Sequence, residues 1–435
     1  MNVVKKFVFI CLMTIVTGAL AEEELEIVID KGVENSLPIV ILPFGWSQAQ
    51  NLPPIDMTAI IANDLARSGR FAPMSEADMP QKPTQMHDIN FKDWRLLGME
   101  NLVLGNIKQN SSGDFDIEFR LIDVYKGTQI TGFHIPATHA QLRRTAHQIS
   151  DIIFEKLTGI RGAFNTRIAY ITVKRLEEKK RLYSLQIADA DGYSPQVLLE
   201  SSEPLMSPSW SPDGKSLAYV SFEKRSSAIY VQDILSGQRR RVASSPGINS
   251  APAWSPDGSR LALTLSKSGD PEIYILHLSS NSLQQVTHNR AIDTEPSWSP
   301  DGNKLVFTSD RGGGPQVYEL SLRGKQVKRL TFNGPYHARP RYSPDGKKIV
   351  MIHGEKKRYR IAILDLENSY LNVLTDSRLD ESPSFSPNGS MIIYATTVYR
   401  GTELAAVAAD GSVHQRLALQ DGEVREPAWG PFPGK

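Results

Sequence analysis

The chain has 435 residues, of which 40% are hydrophobic and 22% are charged, and its formal net charge is +1. This length exceeds one ordinary domain, and the near-neutral charge argues against a nucleic acid as a partner. The single cysteine, Cys11, leaves no possibility of a paired-cysteine metal site or an internal disulfide.

Residues 1–21 have the pattern of a cleaved export signal. Two lysines precede an apolar run that starts at Phe7, and residues 19–21 form an Ala-x-Ala cleavage site ahead of Glu22. The apolar run is short for a helix that crosses a membrane, which favours a cleaved signal. The alternative is an uncleaved membrane anchor. We therefore expect an exported mature protein that begins at Glu22 and is soluble.

Residues 22–36 combine an acidic start with a short strand pattern from Leu25 to Asp30. The simpler interpretation is a first strand or a frayed terminus. The sharper interpretation is a detachable strand, which a partner captures by β-addition or which docks back onto its own protein. The sequence alone leaves both interpretations open.

The pattern over residues 37–160 predicts a compact α/β domain, joined to the rest of the chain by a linker over 159–166. Apolar residues at strand spacing or helical spacing support this prediction. We expect residues 71–88, which contain three prolines, to form an irregular loop. The predicted strands cover 37–44, 101–107, 115–124 and 129–135, and the predicted helices cover 56–68, 91–97 and 142–157, the last capped near Thr138 and ended by Gly159.

A short motif of the form Pro-x-aromatic-Ser-Pro-Asp-Gly recurs through the rest of the chain. Its aromatic residues, here called anchors, are separated by 44, 44, 44, 43 and 44 residues. A constant period of this size with short strand patterns is typical of propeller blades, and Ser-Pro-Asp-Gly favours a tight turn. The anchors are Trp210, Trp254, Trp298, Tyr342, Phe385 and Trp429, which we expect to pack in the core.

The ends of the repeat array predict how the ring closes. Three strand patterns precede the first motif, and the last motif ends after its anchor. Five complete units, three strands and one strand together make six blades, and the sixth blade is closed when the C-terminal strand pairs with the first strands of the ring. The predicted fold is an N-terminal α/β domain followed by an all-β six-bladed propeller over 166–435.

Strand direction alternates within a blade, so all Ser-Pro-Asp-Gly turns lie on one face, the turn face. The segments that enter the inner strands lie on the opposite face, the varied face, which differs from blade to blade. A partner that binds this protein specifically must contact the varied face, because the turn face is nearly identical from blade to blade. The candidate residues there are Ile248, Asn249, Asp293, Thr294, Glu295, His337, Arg339, Asp380, Glu381 and Arg425.

No catalytic centre, metal site or cofactor site is predicted. The sequence lacks a Gly-x-Ser-x-Gly elbow and a His-Glu-x-x-His motif. Residues 189–192 resemble part of a calcium loop but lack its later ligands, so a turn is favoured. His337 is interpreted as a surface or rim histidine. The alternative function is a hydrolase with its site at the channel mouth, because peptidase propellers share the repeat and His337 lies beside variable loops.

The combination of export signal, α/β domain and Pro-x-Trp-Ser-Pro-Asp-Gly propeller resembles the TolB family of the Tol-Pal envelope system. The similarity covers the whole chain. Beyond the repeats it includes residues 37–44, 293–296, 307–311 and 314–318.

The resemblance implies a monomeric, non-enzymatic periplasmic adaptor that supports outer-membrane integrity and invagination during cell division. It implies membrane association only through partners. The propeller face would bind the lipoprotein Pal through a region that includes Ile248, Asn249, Ala251, Asp293 and Thr294. An N-terminal segment would bind the inner-membrane protein TolA, and its exposure would be coupled to Pal binding. That segment is Glu22, Glu23, Glu24, Leu25, Glu26, Ile27, Val28, Ile29, Asp30, Lys31, Gly32 and Val33. A purely structural scaffold with this strand permanently docked is a third possibility.

Overall fold

The computed structural model describes residues 27–31, 36–46, 53–177, 180–399, 401–417 and 422–434. The predicted export signal and residues 22–26 and 32–35 lie outside this range. No helix within the described residues is long and apolar enough to cross a membrane.

The first part of the chain forms one mixed sheet with helices on both faces. Parallel pairing joins the first three strands in sheet order, and antiparallel pairing joins the rest. The strands in this order are Phe71–Pro73, Leu37–Ile41, Asn101–Gln109, Phe115–Asp123 and Thr128–Ala137, with Gly45–Trp46 alongside the third. The helices are α1 (Met57–Arg67), α2 (Phe91–Leu96) and α3 (Leu142–Thr158).

The two faces of this sheet bury different helices. Ile61 of α1 and Ile149 of α3 pack with Phe119 of the sheet in one core cluster. Trp94 of α2 packs with Leu102 in the other cluster, on the opposite face. Alternate residues of a strand point to opposite faces, so Leu102 and its neighbour Val103 belong to different clusters.

Local capping explains why the helix bounds follow the sequence so closely. Asp56 caps α1 by accepting a hydrogen bond from the Ala59 amide at 3.0 Å. A 3₁₀ turn with a Thr138–Gln141 capping box precedes α3, and Gly159 ends the helix with φ 73°. The predicted helices are confirmed, and so are the predicted strands over 115–124 and 129–135, which pair antiparallel as a hairpin.

The prediction of an irregular loop over 71–88 is partly wrong. Phe71–Pro73 forms an edge strand parallel to Leu37–Ile41, and residues 76–78 and 86–88 form 3₁₀ turns. Pro73 ends a strand at the edge of the sheet, where the missing backbone N–H costs no ladder hydrogen bond. Proline content alone therefore did not distinguish an edge strand from a loop.

Each of the six blades is an antiparallel sheet whose anchor strand is innermost. From the channel outward, the strands of blade 1 are Leu205–Trp210, Ser216–Ser221, Ala228–Asp233 and Arg239–Ala243. Those of blade 2 are Asn249–Trp254, Arg260–Leu265, Glu272–His277 and Leu283–Gln285. Those of blade 3 are Asp293–Trp298, Lys304–Ser309, Gln316–Ser321 and Val327–Arg329. The strands of blade 4 are Tyr336–Tyr342, Lys348–Glu355, Arg358–Asp365 and Leu371–Val373. Those of blade 5 are Asp380–Phe385, Met391–Val398, Gly401–Ala408 and His414–Leu417. Those of blade 6 are Glu423–Trp429, Arg167–Arg175, Arg181–Asp189 and Gln196–Ser201.

Blade 6 closes the ring as the repeat array predicts. Its innermost strand, Glu423–Trp429, pairs antiparallel with Arg167–Arg175, and Trp429 lies opposite Ile168. Two segments far apart in the sequence thus share one sheet, which leaves the ring without an open inner edge.

The tryptophan anchors join neighbouring blades through their indole N–H groups. Nε1 of Trp254 donates to the Ser209 carbonyl at 3.1 Å, and Nε1 of Trp298 donates to the Ala253 carbonyl at 3.0 Å. Trp298 is only 6% exposed. Trp210, Trp298 and Phe385 are buried, whereas Trp254, Tyr342 and Trp429 are half-buried and pack against core clusters. Each indole of the tryptophan anchors has a hydrogen-bond acceptor.

The N-terminal strand Ile27–Lys31 docks onto the propeller. It pairs antiparallel with His414–Leu417, the outermost of the four blade-5 strands, and so becomes the fifth strand of that sheet. Within the described residues, the segment is therefore docked on its own protein. This is one of the two forms of the sharper interpretation.

The α/β domain contacts the turn face of the propeller at blades 5 and 6. The side-chain amide of Asn388 donates to the Arg161 carbonyl at 2.9 Å, and Gln415 bonds the Arg67 carbonyl. Asp191, in the turn that ends Arg181–Asp189, faces α3. The varied face lies on the other side of the ring.

Candidate partner-binding face

Each inner strand enters from the varied face with a recurring local geometry. In blades 2 to 5, the residue five positions before the anchor is 0% exposed. In blades 2, 3 and 5 the residue before it reaches the surface: Ile248, Ile292 and Leu379 are 47%, 49% and 38% exposed, whereas Tyr336 of blade 4 is half-buried. The buried residues are Asn249, Asp293, His337 and Asp380.

Asn249 holds its entry loop in place. Its Oδ1 accepts from the Ser245 amide at 2.8 Å, and its Nδ2 donates to the Ser245 carbonyl at 2.7 Å. The Ile248 amide donates to Ser266 Oγ at 2.7 Å. A buried amide with these bonds fixes the backbone from which Ile248 projects.

Asp293 has the same position in blade 3. Its Oδ2 accepts from Arg311 at 2.6 Å and from Asn289 Nδ2 at 2.7 Å. Burial, together with the nearby Asp293, raises the pKa of Glu272, although Thr287 and Asn289 donate to that carboxyl. The Ile292 amide donates to Asp310 Oδ1 at 2.8 Å. The loop of blade 3 is thus fixed by a buried ionic group.

Asp380 and His337 complete the set. Thr375 donates to Asp380 Oδ2 at 2.5 Å, and burial raises the pKa of Asp380. The two ring nitrogens of His337 lie 3.1 Å from Gln316 Oε1 and 3.0 Å from His353 Nδ1. Burial, with His353 beside the ring, lowers the pKa of His337 to about 4. The prediction of a surface histidine is wrong because this residue supports the rim from beneath.

A second recurring position lies three residues before each anchor. All six residues there have positive φ, between 49° and 58°, and each lies in the β-bulge of its inner strand. A residue with left-handed backbone angles in a β-bulge points its side chain in a different direction from that of a regular strand residue. This backbone conformation is strained for residues other than glycine. The six residues are Ser207, Ala251, Glu295, Arg339, Ser382 and Glu426.

These bulge residues meet across the propeller axis. Nε of Arg339 donates to Glu295 Oε1 at 2.8 Å, and another of its nitrogens lies 3.7 Å from Glu426 Oε1. Arg339 also bonds Ser382, and Glu426 Oε2 accepts from the Ser207 amide at 2.6 Å. Because five blades supply these groups, the network spans the channel. We call it the channel plug.

Electrostatics favour the charged form of the plug arginine. Burial alone would lower the pKa of Arg339, but the carboxylates of Glu426 and Glu295 outweigh that effect and raise it. Glu295 Oε2 also accepts from the Arg339 amide at 2.9 Å. The plug therefore occupies the channel with paired charges and leaves the surrounding rim to present other groups.

The remaining candidates lie around the rim. Thr294 and Glu381 are half-buried, and Arg425 is exposed, with its guanidinium 2.6 Å from Glu423. Ala251 and Glu295 belong to the bulge set described above. Ile292 and Leu379 were missed as individual candidates. The alternation of an exposed apolar residue with a buried polar one is a sequence signal that could have found them.

A separate polar cluster lies between the two domains. Nδ1 of His147 is 2.7 Å from Asp64 Oδ2, and its Nε2 is 3.5 Å from Asp191 Oδ2. Arg67 already pairs with Asp64 at 2.9 Å, and Arg143 pairs with Asp191. One ligand atom from each of Asp64, His147 and Asp191 lies within 4.8 Å of the others, but each carboxylate already pairs with an arginine, so we interpret the cluster as a chain of ion pairs.

Comparisons with known proteins agree with this architecture. Residues 25–130 match a family model described as the TolB amino-terminal domain, and residues 154–433 match one described as the TolB beta propeller domain. A protein of Thioalkalivibrio sulfidiphilus named Tol-Pal system protein TolB is 64% identical over 95% of both chains. A protein of the same name from Nitrosococcus oceani is 62% identical over 94% of this chain and 93% of its own.

A solved structure extends the agreement to three dimensions. The crystal structure of TolB from Acinetobacter baumannii is 40% identical, with a TM-score of 0.86, and the match covers 94% of this chain and 100% of that chain. The matched regions include both the α/β domain and the six blades. The chain therefore belongs to the TolB family of Tol-Pal system proteins.

Proposed function

We propose that this protein is a periplasmic, non-enzymatic adaptor of the Tol-Pal system. It binds Pal through the varied face and TolA through residues 22–33. In this role it supports outer-membrane integrity and invagination during cell division. The relatives' name, Tol-Pal system protein TolB, supports the system and the compartment. One observation carries the choice of surface: apolar side chains project from fixed backbone around the varied face.

The rim has the chemistry of a protein interface. Ile248, Ile292 and Leu379 are exposed apolar groups, and the charged side chain of Arg425 is exposed on the same face. Buried polar partners hold the backbone beneath these side chains, so little conformational entropy is lost when a partner binds. In protein interfaces, most of the binding energy comes from a few side chains that become buried and are surrounded by polar contacts.

Titration calorimetry with a soluble Pal domain tests the Pal assignment. The variants Ile248→Arg and Ile292→Arg place charge on the varied face without touching the buried amide or carboxylate beneath. We expect each to weaken binding by about tenfold or more, which is roughly 1.4 kcal/mol. The matched control is Leu235→Arg, because Leu235 is 91% exposed in a turn between outer strands of blade 1, on the turn face. Equal binding by all three variants would reject this surface.

The TolA assignment rests on the strand Ile27–Lys31. The backbone pairing of this strand with His414–Leu417 is a β-addition that a partner's strand could replace. Pal would promote release by binding the undocked state more tightly than the docked state. Deletion of residues 22–33 should abolish TolA binding and leave Pal binding intact. Retained TolA binding would favour the scaffold alternative.

The hydrolase alternative rested on the repeat shared with peptidase propellers and on His337 as a candidate catalytic residue. Both ring nitrogens of this histidine are occupied by Gln316 and His353, and its pKa of about 4 leaves it neutral and bonded at neutral pH. A general base needs a free nitrogen within reach of its substrate. The variant His337→Gln should therefore change stability, while any hydrolysis by the purified protein that His337→Gln abolishes would revive the alternative.

A further inference from the structure

A cavity of about 320 Å³ opens at the centre of the turn face, on the opposite side of the ring from the proposed partner surface. Five prolines of the Ser-Pro-Asp-Gly turns and their equivalents line it, together with anchor aromatics and serines. Its lining includes one charged residue, Arg341. The lining prolines are Pro212, Pro300, Pro344, Pro387 and Pro431. We call this cavity the turn-face cup.

Arg341 is exceptional at its position in the repeat. It lies directly before the anchor of blade 4, and the five equivalent residues are all serine or alanine. Two of those small residues, Ser297 and Ser384, line the cup, and Arg341 is the charged side chain among its lining residues. The small residues are Ser209, Ala253, Ser297, Ser384 and Ala428. A side chain needed only to fill space would not have to be cationic.

The bonding of Arg341 leaves its charge without a carboxylate partner among the described residues. Its NH1 group donates to the carbonyls of Pro340 at 2.9 Å and Glu295 at 3.4 Å. Both oxygens of the Glu295 carboxylate accept from Arg339 instead, at 2.8 and 2.9 Å. Burial lowers the pKa of Arg341, and Arg339 adds to this effect against the opposing attraction of Glu295. The guanidinium still remains charged in a protein.

We propose that the turn-face cup binds a small organic anion, whose carboxylate or phosphate pairs with Arg341 and whose apolar body packs against the ring of prolines and aromatics. A guanidinium offers two parallel N–H donors to either oxyanion, and the pairing is strong where water is partly excluded. Apolar walls with one cation favour an anion with a hydrophobic part over a fully hydrated inorganic ion.

Calorimetric titration of the purified chain with benzoate, benzamide and inorganic phosphate tests this proposal. Benzamide has the shape of benzoate without its charge, so we expect it to bind at least about tenfold more weakly. Arg341→Met keeps the length of the side chain and removes the charge, and it should weaken benzoate binding at least about tenfold. Arg260→Met is the matched control. Arg260 packs over Trp298, 4.7 Å from the ring centroid, but does not line the cup.

The outcomes distinguish an organic carboxylate from inorganic phosphate as the bound anion. Benzoate binding that Arg341→Met loses and Arg260→Met keeps supports the proposal, whereas binding of inorganic phosphate without binding of benzoate contradicts it, because phosphate has no apolar body to pack in the cup. No binding of either anion, or equal binding by both variants, overturns the proposal. If Arg341→Met does not fold, Ser297→Asp replaces it. Ser297 lines the cup on the adjacent blade, so its aspartate should pair with Arg341 and abolish anion binding.

Discussion

Nε2 of His147, on helix α3, lies 3.5 Å from a carboxylate oxygen of Asp191, on the propeller. This distance is within ion-pair range but is longer than a good hydrogen bond, whereas the contact of Nδ1 with Asp64 is 2.7 Å. Burial alone would lower the pKa of His147, but the charges of Asp64 and Asp191 raise it. A protonated His147 thus links the two domains through buried charges of opposite sign.

This linkage predicts a pH-dependent domain interface. Because the pKa of His147 is raised in the folded protein, its contribution is complete below the unfolded value of about 6.5 and is lost as pH rises through the folded value. We expect His147→Gln to lower the unfolding free energy by about 1.5–3 kcal/mol at pH 5.5, the range for hydrogen bonds to charged groups. The difference from the unmodified protein should shrink as the pH becomes alkaline. Thermal unfolding from pH 5 to 9 measures both effects.

The matched control for this experiment is His87→Gln. The side chain of His87 is 81% exposed beside Asp88, so its replacement should change stability little at any pH. A constant difference between His147→Gln and the unmodified protein across this pH range would show that His147 contributes packing without charge. The loss of interface stability at low pH would have a different cause, the protonation of Asp191. Burial would raise the pKa of Asp191, but His147, Arg67 and Arg143 bring it to about 2.

The channel plug predicts a large cost for losing its one arginine. Arg339→Met would leave Glu295 and Glu426 facing each other without a counter-charge. Removing one partner of such a buried group costs about 3–5 kcal/mol, and we expect the lower end because the Arg339 side chain is 25% exposed. Urea unfolding measures this difference. Adding Glu295→Gln to Arg339→Met should recover part of the loss, since one unpaired carboxylate is removed.

An exposed ion pair provides the control for the plug. Arg358 lies 3.0 Å from Asp376, but their side chains are 55% and 88% exposed. Arg358→Met should therefore cost less than about 1 kcal/mol. A cost for Arg339→Met as small as that for Arg358→Met would mean that solvent in the channel screens the plug.

The docked N-terminal strand predicts a specific pattern of amide exchange. Deleting residues 22–33 uncovers the outer edge of His414–Leu417, so amides of that strand should exchange faster. The outer strand Leu283–Gln285 of blade 2 pairs with Glu272–His277 and has no such cover in the sheet, so its exchange should not change. Unchanged exchange in His414–Leu417 would show that the strand is already undocked in solution.

The repeat made the propeller predictable, because the same spacing that identifies a blade also positions its core. The anchors before Ser-Pro-Asp-Gly pack against the neighbouring inner strand, so one local pattern specified both turn and packing. The interdomain cluster could not be predicted in this way. Asp64 and His147 are 83 residues apart, and nothing in either local sequence indicates that α1 and α3 bring them together.

The candidate site was predictable at the level of a face but not at the level of side chains. Alternating strand direction predicted that Asn249 and Asp293 lie where inner strands begin at the varied face, and they do, yet both are 0% exposed. Their bonds to Ser245 and Arg311 involve loops whose path the sequence pattern does not specify. Ile248 was among the predicted candidates, whereas Ile292 was not, although each is an apolar residue that directly precedes a polar one in the sequence.

One departure from the repeat predicts a contact between the domains. Four of the five complete turns have aspartate at their third position, whereas blade 5 has Asn388. Its Oδ1 accepts from Ser386 at 2.7 Å, as the aspartates do in their turns, and its amide nitrogen donates to the Arg161 carbonyl at 2.9 Å. Aspartate could make the first bond but has no donor for the second, so Asn388→Asp should preserve the turn and weaken the domain contact.

The expected loss for Asn388→Asp is about 1–2 kcal/mol, because an unpaired carbonyl and a carboxylate would face each other. Limited proteolysis at the linker, together with calorimetric unfolding, reports whether the two domains separate more readily. Asp345→Asn is the control. It makes the reverse exchange in blade 4, where Ser343 donates to Asp345 at 2.5 Å, in a turn outside the α/β contacts described above. Equal effects of the two variants would place the cost in the turn itself. A larger effect for Asn388→Asp would show that a single amide in the repeat helps to hold the α/β domain on the turn face.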